Sequence, residues 1–203
     1  MKQDIAYKLD NSLYLNITNR CTNECQFCIR NKCRNFNKKY PLWLDSEPTA
    51  EEVLREIGDS TKYKEIVFCG YGEPLIRLET VKEVAQALRP AKVKIRIDTN
   101  GHANLFYGRN ILLELKGLVD KVSVSLNAEN SEVYEKICNS FFGKKAFDAV
   151  IDFIRKAKEV IPEVEVTVVD MPQLIDIEKS RNIAKELGVP FRVRPYYEEE
   201  YVG

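Results

Sequence analysis

Three cysteines lie within an eight-residue stretch near the beginning of the sequence, and they suggest metal chemistry. Cys21, Cys25 and Cys28 follow the spacing C-x3-C-x2-C. Thiolates are soft ligands that suit iron–sulfur clusters, and one short loop can wrap three of them around a cube. A 4Fe–4S cube has four irons, so three cysteines would leave one iron open to bind a small molecule.

A further cysteine keeps two other kinds of metal site open. Cys33 lies five residues after Cys28 and could supply a fourth thiolate. Four sulfurs would indicate an iron–sulfur electron carrier or a structural zinc module. Zinc modules usually pair two C-x2-C knuckles, and this chain has one such pair.

The elements around these cysteines are predicted to alternate between strands and helices. Short β-branched or aromatic runs predict strands at 13–18, 65–69, 93–98, 121–126, 164–169 and 190–194. Apolar spacing predicts a helix over 144–160, and another is expected over about 176–187, ending at Gly188. Two capping boxes predict helix starts at Thr49–Glu52 and Thr80–Glu83.

Crossovers long enough for a helix separate the strands, which predicts a mostly parallel sheet in an α/β fold. Four of the strands alternate apolar and polar residues, so one face of the sheet is expected to be polar. A flat sheet with that face in solvent is one interpretation. The other is a partial (β/α)6 TIM-like open barrel, a single domain over 1–203, with its ligand at the C-terminal ends of the strands.

Several strand ends carry polar or glycine-containing segments. The second is followed by Gly70-Tyr71-Gly72-Glu73-Pro74, in which glycines permit close approach to a ligand and a carboxylate suits an ammonium group. An ordinary turn is the alternative for such a segment. The third and fourth strands end in side chains whose donors and acceptors suit a ribose, namely Asp98, Thr99, Ser125 and Asn127.

The cysteine loop and the glycine segment together resemble the radical S-adenosylmethionine (SAM) superfamily, over roughly residues 13–196. The resemblance implies a 4Fe–4S cluster on Cys21, Cys25 and Cys28, with Phe27 packed beside the adenine of SAM. It also implies that residues 70–74 are a variant of a Gly-Gly-Glu-Pro motif that receives the SAM amino group. Tyr71 replaces the first glycine, so its side chain is expected to point away from the ligand.

The same resemblance implies the reaction and its partners. SAM would be cleaved reductively to a 5′-deoxyadenosyl radical, with electrons from flavodoxin or ferredoxin, and the radical would abstract hydrogen from an unknown substrate. No auxiliary-cluster domain is expected, so a large substrate or a partner protein would cover the barrel mouth. The layout also resembles the small radical SAM proteins associated with TatD-type nucleases. Arg194 would meet the SAM carboxylate or an acidic substrate, or form a structural ion pair.

Composition sets the remaining expectations. The formal net charge is zero, so nucleic acid is not indicated, although a local basic patch stays open. No apolar run suits a signal peptide or a membrane span, which predicts a cytoplasmic protein. His102 is expected to be an exposed loop residue. Cys69 and Cys138 are expected to be small buried hydrophobic residues, with a redox role for Cys69 as the alternative.

Overall fold

All six predicted strands form in the computed structural model, which describes residues 3–196. They belong to a seven-stranded sheet with the order β1-β2-β5-β6-β7-β8-β9. Its strands are β1 (Ala6–Leu9), β2 (Ser12–Leu15), β5 (Glu65–Phe68), β6 (Lys94–Thr99), β7 (Lys121–Ser125), β8 (Glu163–Val169) and β9 (Phe191–Arg194). Only the β1–β2 pair of this sheet is antiparallel. The prediction of an α/β fold with a mostly parallel sheet is therefore confirmed.

Strand β1 and a short hairpin were not predicted. The hairpin pairs β3 (Asn35–Phe36) with β4 (Tyr40–Pro41) and lies between the cysteine loop and the first helix. These strands are two to four residues long, which is too short for an alternating pattern to stand out from the surrounding sequence. β1 extends the sheet beyond β2 and places Tyr7 opposite Tyr14.

Seven α-helices occupy the described part of the chain: α1 (Ala50–Ile57), α2 (Leu78–Leu88), α3 (Ala103–Tyr107), α4 (Leu112–Leu115), α5 (Ser131–Cys138), α6 (Lys145–Val160) and α7 (Ile177–Leu187). The two helices predicted over 144–160 and 176–187 are confirmed as α6 and α7. Gly188 ends α7 with a φ angle of 65°, a left-handed conformation that glycine adopts at little cost.

One predicted capping box forms and the other does not. The Thr49 hydroxyl accepts a hydrogen bond from the Glu52 amide, and the Glu52 carboxylate accepts one in return. The box predicted at Thr80–Glu83 is wrong, because α2 begins at Leu78 and Thr80 lies inside it. A 3-10 turn over Pro74–Arg77 leads directly into this helix, so the chain needs no side-chain cap there.

The two faces of the sheet have different environments, as the alternating strands predicted. Apolar side chains on one face pack against the helices in the main core, where Leu15, Ile66, Ile95 and Val124 are fully buried. The opposite face carries tyrosines, arginines, carboxylates and serines and lines a cavity. The polar face therefore encloses a space, as in an open barrel. Within residues 3–196, no helix has the length and apolar character needed to cross a membrane.

The capping box of α1 gives a test of this local structure. Thr49→Ala should lower the free energy of unfolding by about 1 kcal/mol, because it removes the acceptor for the Glu52 amide. Chemical denaturation monitored by circular dichroism measures the change. Thr49→Ser keeps a hydroxyl and should stay close to wild type; an equal loss in both variants would show that the cap is not the cause.

Candidate functional site

The three clustered cysteines follow β2 and face one cavity at the C-terminal ends of the strands. Cys21, Cys25 and Cys28 line a space of about 170 Å³ together with the glycine segment and the ends of β6 and β7. Within residues 3–196, no three Cys, His, Asp or Glu side chains lie close enough together to hold a metal ion. The thiols thus share a cavity, and they would have to draw together around a cluster.

The thiols are protonated in this arrangement. Burial raises the pKa of Cys21 to about 12, and the Glu73 charge adds to the effect. A hydrogen bond with the Cys138 thiol, together with burial, raises the pKa of Cys25. Burial also raises the pKa of Cys28. Since only thiolates bind iron, metal binding at this loop must displace protons. The donor set itself, three thiols at one cavity, fits an iron–sulfur cluster.

Cys33 is not part of this group. Its sulfur lies 3.5 Å from the Tyr71 hydroxyl, and the residue does not line the cavity that the three thiols share. The geometry therefore favours a set of three cysteines over the four-sulfur alternatives.

The cysteine loop is held by its own backbone and by helix α5. Arg30 donates hydrogen bonds to the carbonyls of Asn19 and Asn23, at 3.0 and 3.1 Å, and so spans the loop. The Glu24 amide donates to the Cys138 carbonyl at 3.0 Å, and the Gln26 amide donates to that of Ile137 at 2.9 Å. These contacts join the loop to the C-terminal end of α5.

A chain of buried polar side chains runs beneath the loop. Asn100 donates from Nδ2 to the Thr22 hydroxyl at 2.8 Å, and that hydroxyl lies 3.0 Å from Nδ1 of His102. On the other side of the ring, Nε2 of His102 lies 3.1 Å from the Tyr134 hydroxyl. Asn23 donates to the same Tyr134 hydroxyl at 3.0 Å. The network connects the end of β6 to α5 through the cysteine loop.

The expectation that His102 is exposed is wrong. Its side chain is fully buried, and burial lowers its pKa to about 4. The imidazole is therefore neutral near pH 7 and serves as a hydrogen-bonding spacer between Thr22 and Tyr134. The sequence shows only that His102 follows an Asn-Gly turn, so its burial could not be read from local pattern.

The two glycines of the predicted SAM motif contact the chain itself. A Cβ atom on Gly72 would lie 2.4 Å from the Thr18 carbonyl oxygen and 2.5 Å from that of Arg20. A Cβ on Gly70 would lie 2.2 Å from Oδ1 of Asn16. The glycines were expected to permit close approach of a ligand. In the structure they permit close docking of this segment against the end of β2 and the cysteine loop, and both also line the cavity.

Glu73 links three loops. Its amide donates to the Arg20 carbonyl at 2.8 Å. Its carboxylate accepts from the Thr99 hydroxyl at 2.8 Å and from the Asn100 amide at 2.7 Å. Burial raises the pKa of Glu73 to about 7 although these hydrogen bonds oppose the shift. The Leu75 amide also donates to this carboxylate, which caps the turn that Pro74 begins.

The Tyr71 side chain reaches Cys33, in the chain that follows the cysteine loop. Its hydroxyl donates to the Cys33 carbonyl at 2.7 Å. Its ring is buried in a second apolar cluster with Tyr7, Phe36 and Leu42. The tyrosine thereby attaches the glycine segment to the chain that follows the cysteine loop.

The arginines on the polar face of the sheet, which lines the cavity, differ in their partners. Arg96 lies 3.0 Å from both the Glu65 and the Asp98 carboxylates, and Arg192 lies 2.8 Å from Glu165. Arg194 instead donates to the Ser125 hydroxyl at 3.3 Å and to Oδ1 of Asn127 at 3.5 Å. Among residues 3–196, no carboxylate lies within 4.0 Å of Arg194.

The carboxylates of this face are shifted in opposite directions. Burial raises the pKa of Asp98 although Arg96, Arg194 and Arg192 oppose the shift. Burial would also raise the pKa of Glu165, but hydrogen bonds from Lys121 and Arg192 outweigh it and lower the value to about 2. Glu165 is therefore a fixed anion, whereas Asp98 faces the cavity with a higher proton affinity.

The two remaining cysteines have different surroundings. Cys138 is fully buried, which confirms the prediction for it. Cys69 is partly exposed and lines the cavity beside the glycine segment, so the description as a small buried hydrophobic residue is wrong for Cys69. Burial raises the pKa of its thiol, and the nearby Asp98 charge raises it further.

The cavity has two lobes that share a boundary. The inner lobe is the space of about 170 Å³ that all three clustered thiols line. The outer lobe, about 400 Å³, has walls of aromatic and aliphatic side chains. Residues of the boundary contribute to both lobes and include Phe27, Cys69, Asp98, Arg192 and Arg194. The outer walls include Tyr7, Tyr14, Ile29, Phe36, Leu42 and Val169.

The predicted site residues therefore converge. Phe27, Gly70, Tyr71, Gly72, Glu73, Asp98, Thr99, Ser125, Asn127 and Arg194 all line the inner lobe beside the three thiols. Pro74 lies behind the lobe, at the start of its turn. Sequence reasoning did not find Asn16, Asn100, Thr22 and Tyr134, which hold the loops that carry these residues.

Relatives of known name have the same type of domain. The chain is 34% identical over 153 residues to a probable GTP 3′,8-cyclase of Methanocaldococcus jannaschii, covering 73% of this chain and 46% of the relative. It is 26% identical over 188 residues to a putative glycyl-radical enzyme activating enzyme of the same organism, covering 89% and 66%. The chain thus spans about half to two thirds of the length of these curated relatives.

Solved structures share the fold at low sequence identity. Streptococcus suis SuiB superposes with a TM-score of 0.65 at 16% identity, over 95% of this chain and 41% of SuiB. A radical SAM methyltransferase from Sphaerobacter thermophilus gives 0.59 at 15% identity, over 94% and 68%. The profile of the radical SAM superfamily matches residues 15–181. The chain belongs to the radical SAM superfamily, whose members use a 4Fe–4S cluster and SAM.

Proposed function

We propose that this chain, as a single radical SAM core domain over residues 1–203, holds a 4Fe–4S cluster on Cys21, Cys25 and Cys28. The observation that carries the proposal is the convergence of these three thiols on the inner lobe, from which Cys33 is excluded. When bound, the cluster would pass one electron from a flavodoxin or ferredoxin to SAM, giving methionine and a 5′-deoxyadenosyl radical that abstracts hydrogen from the substrate.

The chain's own residues would orient SAM in the inner lobe. The Glu73 carboxylate already accepts three hydrogen bonds from the protein, so backbone carbonyls of the glycine segment are the freer acceptors for the SAM ammonium. Arg194 carries the charge that suits the SAM carboxylate, since Ser125 and Asn127 hold it without neutralising it. Phe27 lines the boundary of the two lobes, where it would pack beside the adenine.

The outer lobe supports a proposal about the substrate. Its walls are mostly apolar and aromatic, and Arg96, Arg192 and Arg194 lie at its polar side. Such a lobe favours a substrate with an apolar or planar body and an anionic group. The lobe also keeps that substrate next to Cys28 and Phe27, where a radical made in the inner lobe would be held close and away from water.

The names of the relatives suggest two reaction types for this site. Probable GTP 3′,8-cyclases and putative glycyl-radical enzyme activating enzymes are both matched over most of this chain. The first name fits a planar, anionic substrate in the outer lobe. The second fits a protein substrate at an open cavity mouth. The chemistry of the outer lobe favours the first type, a small anionic substrate.

The cluster assignment is tested by replacing single cysteines. After anaerobic reconstitution with iron and sulfide and reduction by dithionite, wild type should convert SAM to 5′-deoxyadenosine, measured by liquid chromatography. Cys28→Ala should lose nearly all of this product because one of three ligands is gone. Cys33→Ala is the matched control and should retain it. Loss in Cys33→Ala, with a cluster in wild type that never cleaves SAM, would support the electron-carrier alternative.

The role of Arg194 is tested by the SAM dependence of the same reaction. Arg194→Ala should raise the KM for SAM about tenfold or more, since a charge-assisted hydrogen bond contributes about 1.5–3 kcal/mol. Arg194→Lys keeps the charge and should restore part of the affinity. Arg181→Ala, on the outer face of α7, is the control. An unchanged KM in Arg194→Ala would argue that Arg194 does not hold the SAM carboxylate.

A further inference from the structure

The chain between the cysteine loop and α1 carries a run of cations without any carboxylate. Residues 25–44 contain no Asp or Glu, although acidic and basic residues are equally numerous in the whole chain. The cations lie within residues 30–39, here called the basic segment: Arg30, Lys32, Arg34, Lys38 and Lys39. Among the ion pairs of residues 3–196, none involves any of these five side chains. Within the described part of the chain, no carboxylate neutralises their charge.

Four of these cations are presented on the surface. Lys32, Arg34, Lys38 and Lys39 are exposed, whereas Arg30 is half-buried as the clasp of the cysteine loop. Three of the exposed cations sit over aromatic rings, with Arg34 on Trp43 at 5.7 Å, Lys39 on Tyr40 at 4.8 Å and Lys32 on Tyr196 at 4.2 Å. These contacts restrain the side chains while they keep the charges at the protein surface.

The basic segment is tied directly to the proposed cluster site. It begins two residues after Cys28, and its Cys33 carbonyl accepts the Tyr71 hydroxyl of the glycine segment. The Leu42 amide donates to the Arg34 carbonyl at 3.2 Å. This hydrogen bond joins the two residues that flank the β3–β4 hairpin. Phe36 and Ile29 line the outer lobe. A partner bound at this surface would thus lie beside the cluster loop.

We propose that the basic segment is the docking surface for a small acidic electron-carrier protein of the flavodoxin or ferredoxin type. This rests on the proposed function, because only a cluster that reduces SAM needs an electron donor. The docked carrier would lose one electron, and SAM would be the acceptor whose carbon–sulfur bond breaks. Uncompensated cations steer acidic partners and orient them over small, transient interfaces.

The geometry favours a protein partner over a nucleic acid. Bases bind aromatic platforms by stacking on an open ring face. At this surface, side chains of the chain itself already cover a face of Trp43, Tyr40 and Tyr196. The zero net charge of the chain also gives no wider field to hold a phosphate backbone. Carboxylates of a protein surface can reach the cations without displacing them from the rings.

Charge reversal on the reconstituted full chain tests the proposal. Arg34→Glu/Lys38→Glu should raise the Kd for a fluorescently labelled flavodoxin about tenfold in dilute salt, measured by anisotropy without turnover. The difference should shrink at about 1 M salt, where the Debye length is only about 3 Å. The rate of 5′-deoxyadenosine formation with reduced flavodoxin should fall likewise, whereas the rate with dithionite should not change.

The matched control makes the same charge change at the N-terminal ends of the strands, opposite the ends that carry the cysteine loop. Lys64 and Lys116 are exposed and precede β5 and β7, so Lys64→Glu/Lys116→Glu should bind flavodoxin like wild type. Arg34→Gln/Lys38→Gln is the milder variant if charge reversal prevents folding, and it should give a smaller increase in Kd. Equal flavodoxin affinity in all of these proteins would overturn the proposal, as would an equal loss with dithionite.

Other occupants give different results. If single-stranded RNA binds with an affinity that depends on Arg34 and Lys38, and flavodoxin and ferredoxin do not bind, the proposal is wrong. The acidic run Glu198–Glu200 of the chain itself is the second competitor. If replacing these three glutamates by glutamine abolishes the difference in flavodoxin Kd between wild type and Arg34→Glu/Lys38→Glu, the basic segment binds the chain's own acidic run. The proposal is then wrong. Wild type that binds flavodoxin normally but makes no 5′-deoxyadenosine with dithionite would refute the proposed function alone.

Discussion

The site depends on a backbone contact that only glycine permits, between Gly72 and the carbonyls of Thr18 and Arg20. It lets the Glu73 amide reach the Arg20 carbonyl, which places the Glu73 carboxylate against the amide of Asn100. The loops after β2, β5 and β6 are thereby joined at one point. Since the three thiols lie on the first of these loops, their position relative to the other strand ends follows from this contact.

The interior beneath the cluster loop is polar but carries little charge. His102 is neutral near pH 7 because burial lowers its pKa to about 4. Its ring joins the Thr22 hydroxyl, to which Asn100 also donates, to the Tyr134 hydroxyl. Glu73 is the exception, and its three donors limit the cost of a buried carboxylate. Neutral hydrogen bonds can hold the loop without adding charges that would repel or attract the iron cluster.

Sequence periodicity predicted the features that depend on local pattern. The six strands, α6 and α7 have regular apolar spacing, and the cysteine spacing places its loop after β2. Most of the features that sequence reasoning missed depend on distant contacts. His102 is buried by α5 and the cysteine loop, Thr80 is internal because of the turn before α2, and Gly70 is required by Asn16. The partners of His102 and Gly70 are far away in sequence, so no local pattern could identify them, whereas the turn that sets the start of α2 lies only a few residues before Thr80.

Charge is distributed differently inside and outside the cavity. Within it, Arg96 and Arg192 are compensated by carboxylates of neighbouring strands, so they can shape the lobe at little electrostatic cost. Arg194 is held by the neutral side chains of Ser125 and Asn127. Outside, the basic segment has no ion pair with any residue of 3–196, and its charge can act over the longer range that steering requires. The chain thus combines arginines paired with carboxylates on the cavity side, one arginine held by neutral groups inside the cavity, and a run of surface cations beside the cysteine loop.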